Sequence, residues 1–185
     1  MAPAKANRKY VALLRGINVA GKNMLPMQDL ANIFRDSGCT GVSTFINSGN
    51  VIFSAGPDAE TTLPDQISQH IEDSFGYRIP VVLRNREELQ RAIAANPFLI
   101  PGVDEKALHV YFLRDNPGAA AIASLDPERS LPDTFAVVGG EIYLNLPNGM
   151  ARTKLTNAWF DSKLKTVSTA RNWNTTQKLL ELLGG

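Results

Sequence analysis

A single cysteine, Cys39, is present in 185 residues. One thiol excludes a disulfide framework within the chain, and a reducing compartment is the default expectation. The two histidines, His70 and His109, have no zinc-ligand spacing to each other or to Cys39. Long apolar runs are missing as well. Residues 1–10 carry charge but lead only into the short apolar run 11–14, too short for a signal-peptide core. No stretch approaches the roughly 18 apolar residues of a membrane span. A cytoplasmic protein with no membrane partner is expected. Excess charge of either sign is also absent: 19 Lys+Arg against 18 Asp+Glu leave a net charge of +1, with no overall steering toward nucleic acid or anionic lipid.

What is present is a 44% hydrophobic composition, enough to fill a core and to exclude global disorder. The length suits two small domains of about 90 residues. Basic residues collect at the two ends. Residues 1–30 hold five basic groups against Asp29, and residues 151–185 hold six against Asp161 and Glu181. Either the ends form one basic face, or two surfaces are merely well solvated.

The apolar pattern gives the organisation. Residues 10–15 read as a strand, followed by a loop over 16–25 and a helix opened by Pro26, with Met27, Leu30, Ala31 and Phe34 on one stripe and Gly38 as terminator. Runs 42–47 and 51–53 flank Ser48-Gly49-Asn50 as a hairpin. A second helix is expected from Thr62, with Asp65 in a capping box, to Gly76, and then a strand over 80–83. A short helix capped by Asn85 trails this unit. The order repeats: strand 108–113, a weak helix over 117–125, strands 135–138 and 141–144 around Gly139-Gly140, a helix over 152–162 burying Leu155, Ala158 and Trp159, a closing strand near Val167, and a final helix. The expected architecture is α+β, a tandem duplication of ferredoxin-like βαββαβ units, 1–96 and 97–185, each with one trailing helix.

Three segments ask for a chemical reading. Residues 15–23, Arg-Gly-Ile-Asn-Val-Ala-Gly-Lys-Asn, lie between strand and helix, where backbone N–H groups and Lys22 suit an anion. Gly16 and Gly21-Lys22 keep the G-x-x-x-x-G-K spacing of a phosphate loop, but Asn23 replaces the metal-binding hydroxyl and the helix starts late, which argues against nucleotide hydrolysis. Asn47, Ser48 and Asn50 place amides and a hydroxyl on a turn, for recognition or for capping the turn itself. Arg171, Asn172, Trp173 and Asn174 surround a helix start, with Asn174 and Gln177 spaced for a capping box. Trp173 is either a stacking surface beside Arg171 or a core anchor over Leu180 and Leu183.

At these segments the chain resembles the uncharacterised bacterial family known as domain of unknown function 1697. A Leu-Leu-Arg-Gly-Ile-Asn-Val-Gly-Gly-Lys motif is matched by residues 13–22, a Gln-Ser-Gly-Asn-Val turn by 47–51, and Thr-Arg-Asn-Trp-Asn-Thr by 170–175. Ala20, Asn47 and Ala170 depart from the family pattern. The resemblance implies a duplicated ferredoxin-like architecture and no established activity, cofactor or catalytic role.

The expected ligand-binding residues are Arg15, Asn18, Lys22, Asn23, Asn47, Ser48, Asn50, Arg171, Asn172, Trp173 and Asn174, with no catalytic residue, metal or cofactor assigned. Three readings stay open: binding of an anionic small molecule or single-stranded nucleic acid, catalysis on a phosphorylated or otherwise anionic metabolite, and support of an interface between repeats or subunits. Catalysis lacks a placed general base, since Asp29 and Asp161 are the nearest carboxylates. Monomer and homodimer are equally acceptable.

Overall fold

The computed structural model describes residues 7–184. It is a mixed α+β protein with two four-stranded antiparallel sheets and six helices. Strands β1 (Arg8–Leu14), β2 (Thr40–Phe45), β3 (Asn50–Ala55) and β4 (Val81–Asn85) pair in the order β2-β3-β1-β4. Helix α1 (Met27–Asp36) follows β1, α2 (Ala59–Phe75) follows β3, and α3 (Arg86–Ala94) follows β4. The second sheet, from β5 (Leu108–Leu113), β6 (Thr134–Val138), β7 (Glu141–Asn145) and β8 (Ser168–Asn172), has the equivalent order β6-β7-β5-β8. Its helices are α4 (Ala119–Ala123), α5 (Asn157–Leu164) and α6 (Trp173–Gly184).

Tyr10, Ala12 and Leu14 of β1 and Val51 and Phe53 of β3 pack with Leu30 and Phe34 of α1 and Ile67 and Ile71 of α2. Phe53 is gripped from two sides, its ring centroid 5.7 Å from Tyr10 and 5.1 Å from Phe34. The alternate residues Val11 and Leu13 are also fully buried. That explains why β1 reads as an unbroken apolar run and not as the alternation of a half-exposed strand. In the second unit Tyr111 and Leu113 of β5 join Ile142, Leu144, Trp159 and Phe160. Each such large side chain contributes about 1.5–3 kcal/mol on leaving water.

Local signals set most boundaries, and the departures have physical causes. Gly76 caps α2 in a left-handed conformation, as its sequence position suggests. The helix begins at Ala59, however, so Thr62 lies inside it and is not its cap. Asn85 and Glu88 form a reciprocal capping box: Asn85 Oδ1 accepts the Glu88 N–H at 2.9 Å and Glu88 Oε2 accepts the Asn85 N–H at 2.8 Å. Helix α5 starts five residues later than expected. Thr156 caps it by accepting the Trp159 N–H at 3.2 Å, so Leu155 is buried ahead of the helix, and Ala158 is exposed. The cap of α6 is Asn172 and not Asn174, because β8 runs directly into the helix and Asn172 Oδ1 accepts the Thr175 N–H at 2.8 Å.

The chain forms two compact units, Met1–Glu88 with Glu181–Gly185, and Leu89–Leu180. The division falls inside α3. Within the second unit the Tyr143 hydroxyl donates to the Ala92 carbonyl at 2.7 Å, fastening α3 to β7. Tyr143→Phe removes that bond without opening a cavity, so it is expected to lower stability by about 1 kcal/mol. Equilibrium urea unfolding checks this: the midpoint falls at an unchanged m-value, and an unchanged midpoint contradicts the role given to the bond.

Candidate ligand-binding loops

In the first unit the chain leaves β1 at Leu14 and crosses to α1 through residues 16–25. This loop is built on left-handed residues: Gly16, Gly21, Asn18, Ala20 and Asn23 all have positive φ, the last three at 53°, 50° and 47°. Asparagine tolerates that region through its short polar side chain, whereas alanine does not gain the same compensation. Asn23 closes the loop by donating from Nδ2 to the Gly16 carbonyl at 2.9 Å, and its own carbonyl accepts the Asn18 N–H at 3.2 Å. The Lys22 N–H is bonded back to the Val19 carbonyl at 2.9 Å.

Asn18 ties this loop to the β2–β3 turn. Its Oδ1 accepts the Leu25 N–H at 2.8 Å and its Nδ2 donates to the Leu25 carbonyl at 2.9 Å, a two-point pairing that imitates a strand partner. The same Nδ2 reaches the Asn47 carbonyl at 3.3 Å and Asn47 Oδ1 at 3.2 Å. The turn is fixed from its other end by Asn50, fully buried, whose Nδ2 donates to the Phe45 carbonyl and to Ser48 Oγ, both at 3.1 Å. Gly49 passes so close to β1 that an added Cβ would lie 2.9 Å from Leu14 Cβ and 3.0 Å from Ile17 Cδ1. Ile46, a β-branched residue, is held at φ 50°. A conformation of that kind costs about 1–3 kcal/mol and persists only where the surroundings impose it.

The structure thus brings Asn18 to Asn47, Asn23 to Gly16, and Asn50 to Ser48. Asn18 and Asn50 spend their amides on backbone and on neighbouring side chains, Asn23 donates to Gly16, and exposed Asn47 has its Oδ1 engaged by Asn18. What the loops present outward is different: Val19 and Met24 are each 58% exposed, Ile46 is 51% exposed, and Lys22 is exposed between them in sequence. Met24 and Ile46 are chain neighbours of residues bonded to Asn18, and Val19 directly follows Asn18. Tyr77 adds a further tie by donating from its hydroxyl to the Met24 carbonyl. Sequence reasoning missed Leu25, Ile46 and the close approach of Gly49. Only the isolated Ser-Gly-Asn hinted at the last of these.

A family model described as "Protein of unknown function (DUF1697)" matches residues 8–143. The chain belongs to this family. The matched range contains the first two motif segments of the DUF1697 chain and ends before the third. No curated protein matches it. A solved structure, that of a conserved bacterial protein from Streptococcus pneumoniae, is 22% identical with a TM-score of 0.70, covering 97% of this chain and 100% of that one. At that identity the likeness speaks to the fold alone.

The third motif segment of this DUF1697 protein lies in the second unit. Arg171 sits on β8 opposite Val110 and is only 7% exposed. Its Nη1 donates to Thr169 Oγ1 at 3.0 Å and to the Ala170 carbonyl at 2.6 Å. Burial lowers its pKa to about 10, which leaves the guanidinium charged at neutral pH. Trp173 is completely buried, so it anchors the core and offers no face for stacking. Asn174 is exposed on the first turn of α6.

Reactive groups are few. Burial pushes the Cys39 thiol up to about 11, so it stays protonated and inert at neutral pH. His109 is lowered by burial, against a smaller raising effect of the Ala107 carbonyl. Asp29 is exposed on α1, and Asp161 accepts a 2.6 Å hydrogen bond from Ser168. The described residues contain no group of three side chains able to hold a metal ion, and no helix among them is long and apolar enough to cross a membrane.

Gly49→Ala tests the loop packing. The positive φ of 79° and the sub-van-der-Waals approach to Leu14 lead us to expect a loss of about 2–3 kcal/mol, measured by chemical denaturation. A loss below half a kilocalorie would show that the turn is not pressed against β1.

Proposed function

We propose that this protein is a non-catalytic binding module for an anionic small molecule of the nucleotide type, recognised at the outer surface of the 16–25 loop and the 46–49 turn. The observation that carries the reading is the strained backbone around Asn18. Four non-glycine residues, Asn18, Ala20, Asn23 and Ile46, are held at positive φ in two loops bonded to each other. Strain concentrated in this way favours a preformed recognition surface over a simple connection. Lys22 and Arg15 supply positive charge for a phosphate, and Val19, Met24 and Ile46 supply apolar area for the uncharged part of the ligand.

In this reading Asn18, Asn23, Asn47, Ser48 and Asn50 hold the surface in place and are not its main contacts. Arg171, Asn172 and Trp173 play the corresponding supporting part in the second unit, where exposed Asn174 is the residue free to face a ligand. Burial of Trp173 favours a nucleotide over single-stranded nucleic acid, which binds chiefly by stacking on exposed aromatic rings. The matching strand orders of the two sheets support a ferredoxin-like duplication, with one sheet in each of the sequence halves 1–96 and 97–185, as the frame that carries these loops. Catalysis is the weaker reading because neither Asp29 nor Asp161 belongs to the bonded loop network.

A low-salt screen of nucleoside mono-, di- and triphosphates by thermal shift and calorimetry is the test. Lys22→Ala is expected to weaken the hit at least about tenfold while leaving the melting temperature unchanged, since Lys22 is exposed. Asn18→Ala is expected to weaken binding and also to cost about 2 kcal/mol of stability. No saturable nucleotide binding at low salt, or binding indifferent to Lys22→Ala, would overturn the proposal.

A further inference from the structure

An open sheet has two edge strands, and on each of them every second residue turns its N–H and C=O groups away from the sheet. The edges here are β2 and β4 of the first sheet and β6 and β8 of the second. On β4 the Arg15 N–H bonds the Pro80 carbonyl at 3.1 Å, so the alternation turns Leu83 and Asn85 outward. Arg84 Nη1 covers the Leu83 carbonyl at 2.9 Å, and the Asn85 N–H donates to Glu88 Oε2 at 2.8 Å. On β8 the Arg114 N–H bonds the Val167 carbonyl at 2.8 Å, which turns Ala170 outward, and Arg171 Nη1 covers the Ala170 carbonyl at 2.6 Å. The β2 edge is interrupted by a register shift between Thr40 and Ser43, with Gly41 at φ 59°.

The β6 edge has none of these devices. Its sequence, Thr-Phe-Ala-Val-Val over 134–138, holds no charge and no proline, and its register with β7 is unbroken. The Leu113 N–H bonds the Gly140 carbonyl at 2.8 Å, which assigns residues 140, 142 and 144 to β5 and residues 141, 143 and 145 to β6. Thr134, Ala136 and Val138 therefore bond to β7. Phe135 and Val137 turn their N–H and C=O groups outward, where these groups have no partner among the described residues. A regular, uncharged edge of this kind is a template for another strand.

We propose that β6 is a dimerisation edge, pairing antiparallel with β6 of a second copy of this chain across a twofold axis at Ala136. The strand complements itself in that register. Phe135 of one copy faces Val137 of the other, and each such pair exchanges both of its N–H···O bonds, so every outward group is satisfied. An aromatic residue opposite a β-branched one is a favourable cross-strand pair. Ala136 meets its counterpart at the close, non-bonded position, where a small side chain fits and no like charges oppose each other. The twofold also brings the start of one strand to the end of the other. Exposed apolar residues stand at both ends: Leu131, 64% exposed, just ahead of β6, and Val138, 41% exposed, at its close. A five-residue edge is small for an interface, so a dissociation constant on the order of tens of micromolar is expected. The edge lies in the second unit, and its role does not depend on nucleotide binding by the 16–25 loop.

Sedimentation velocity on the full chain, from about 5 to about 500 µM, tests the proposal. The unaltered protein is expected to pass from monomer to dimer across that range. Ala136→Lys and Ala136→Glu each set like charges opposite one another and weaken association at least about tenfold, and an equimolar mixture of the two variants restores it. Val138→Lys, at an exposed position opposite Thr134 of the second copy, weakens association as well and serves if the Ala136 variants fail to fold. Ala136→Cys is expected to give a disulfide-linked dimer on oxidation, because the Cα atoms of a non-bonded antiparallel pair lie about 4.5 Å apart, within disulfide reach. The unaltered protein gives none, since Cys39 is buried. A monomer at every concentration would overturn the proposal and leave the edge to a strand of a different protein. A dimer indifferent to the charge variants would overturn it too, by showing that the copies meet elsewhere.

Discussion

The side chain of Asn18 is the constraint on which the loop surface of the first unit depends. A crossover loop has no sheet ladder to satisfy its backbone, and each unpaired buried group costs as much as a lost hydrogen bond. Asn18 answers this by pairing both polar groups of Leu25, acceptor to N–H and donor to carbonyl, and by reaching Asn47 across 29 residues of sequence. Because the Leu25 N–H only donates and its carbonyl only accepts, the amide has a single orientation that serves both. Leu25 is then buried just ahead of α1, and the 46–49 turn is drawn against the loop.

From this constraint a division of labour follows. In the reading we propose, the amides of Asn18, Asn23 and Asn50 support the loops, and the exposed residues between them form the binding surface. The strain at Ala20 and Ile46 is the counterpart of that arrangement. Ile46 sits next to Asn47, which is bonded to Asn18, and Ala20 lies inside the turn closed by the bond from the Lys22 N–H to the Val19 carbonyl; restraint by the surroundings is the condition under which unfavourable φ values survive. The second unit has a similar economy: Arg171 and Trp173 are enclosed, and Asn172 caps α6.

Much of the fold was legible because it is written in local patterns. The unbroken apolar run of β1, the glycines after α1 and α2 and the Asn85 cap all act within a few residues, and they fell where pattern and capping chemistry place them. Thr62 and residues 152–156 misled, because capping residues and apolar spacing also occur next to true helix starts. Asp58 and Thr156, not the more suggestive sequence signals, open α2 and α5. The motif segments were visible as unusual, but their roles were not, since whether an asparagine faces a ligand or a carbonyl is decided by partners such as Leu25 that are distant or featureless in sequence.

The most direct test of the central role of Asn18 is hydrogen exchange at the Leu25 amide, followed by nuclear magnetic resonance. That N–H lies in a loop, where amides ordinarily exchange fast, yet it is buried and bonded to Asn18 Oδ1 at 2.8 Å. Protection within about tenfold of the β1 amides, lost in Asn18→Ala while β1 stays protected, is the result this account predicts. Exchange at the rate of an open loop in the unaltered protein would contradict it.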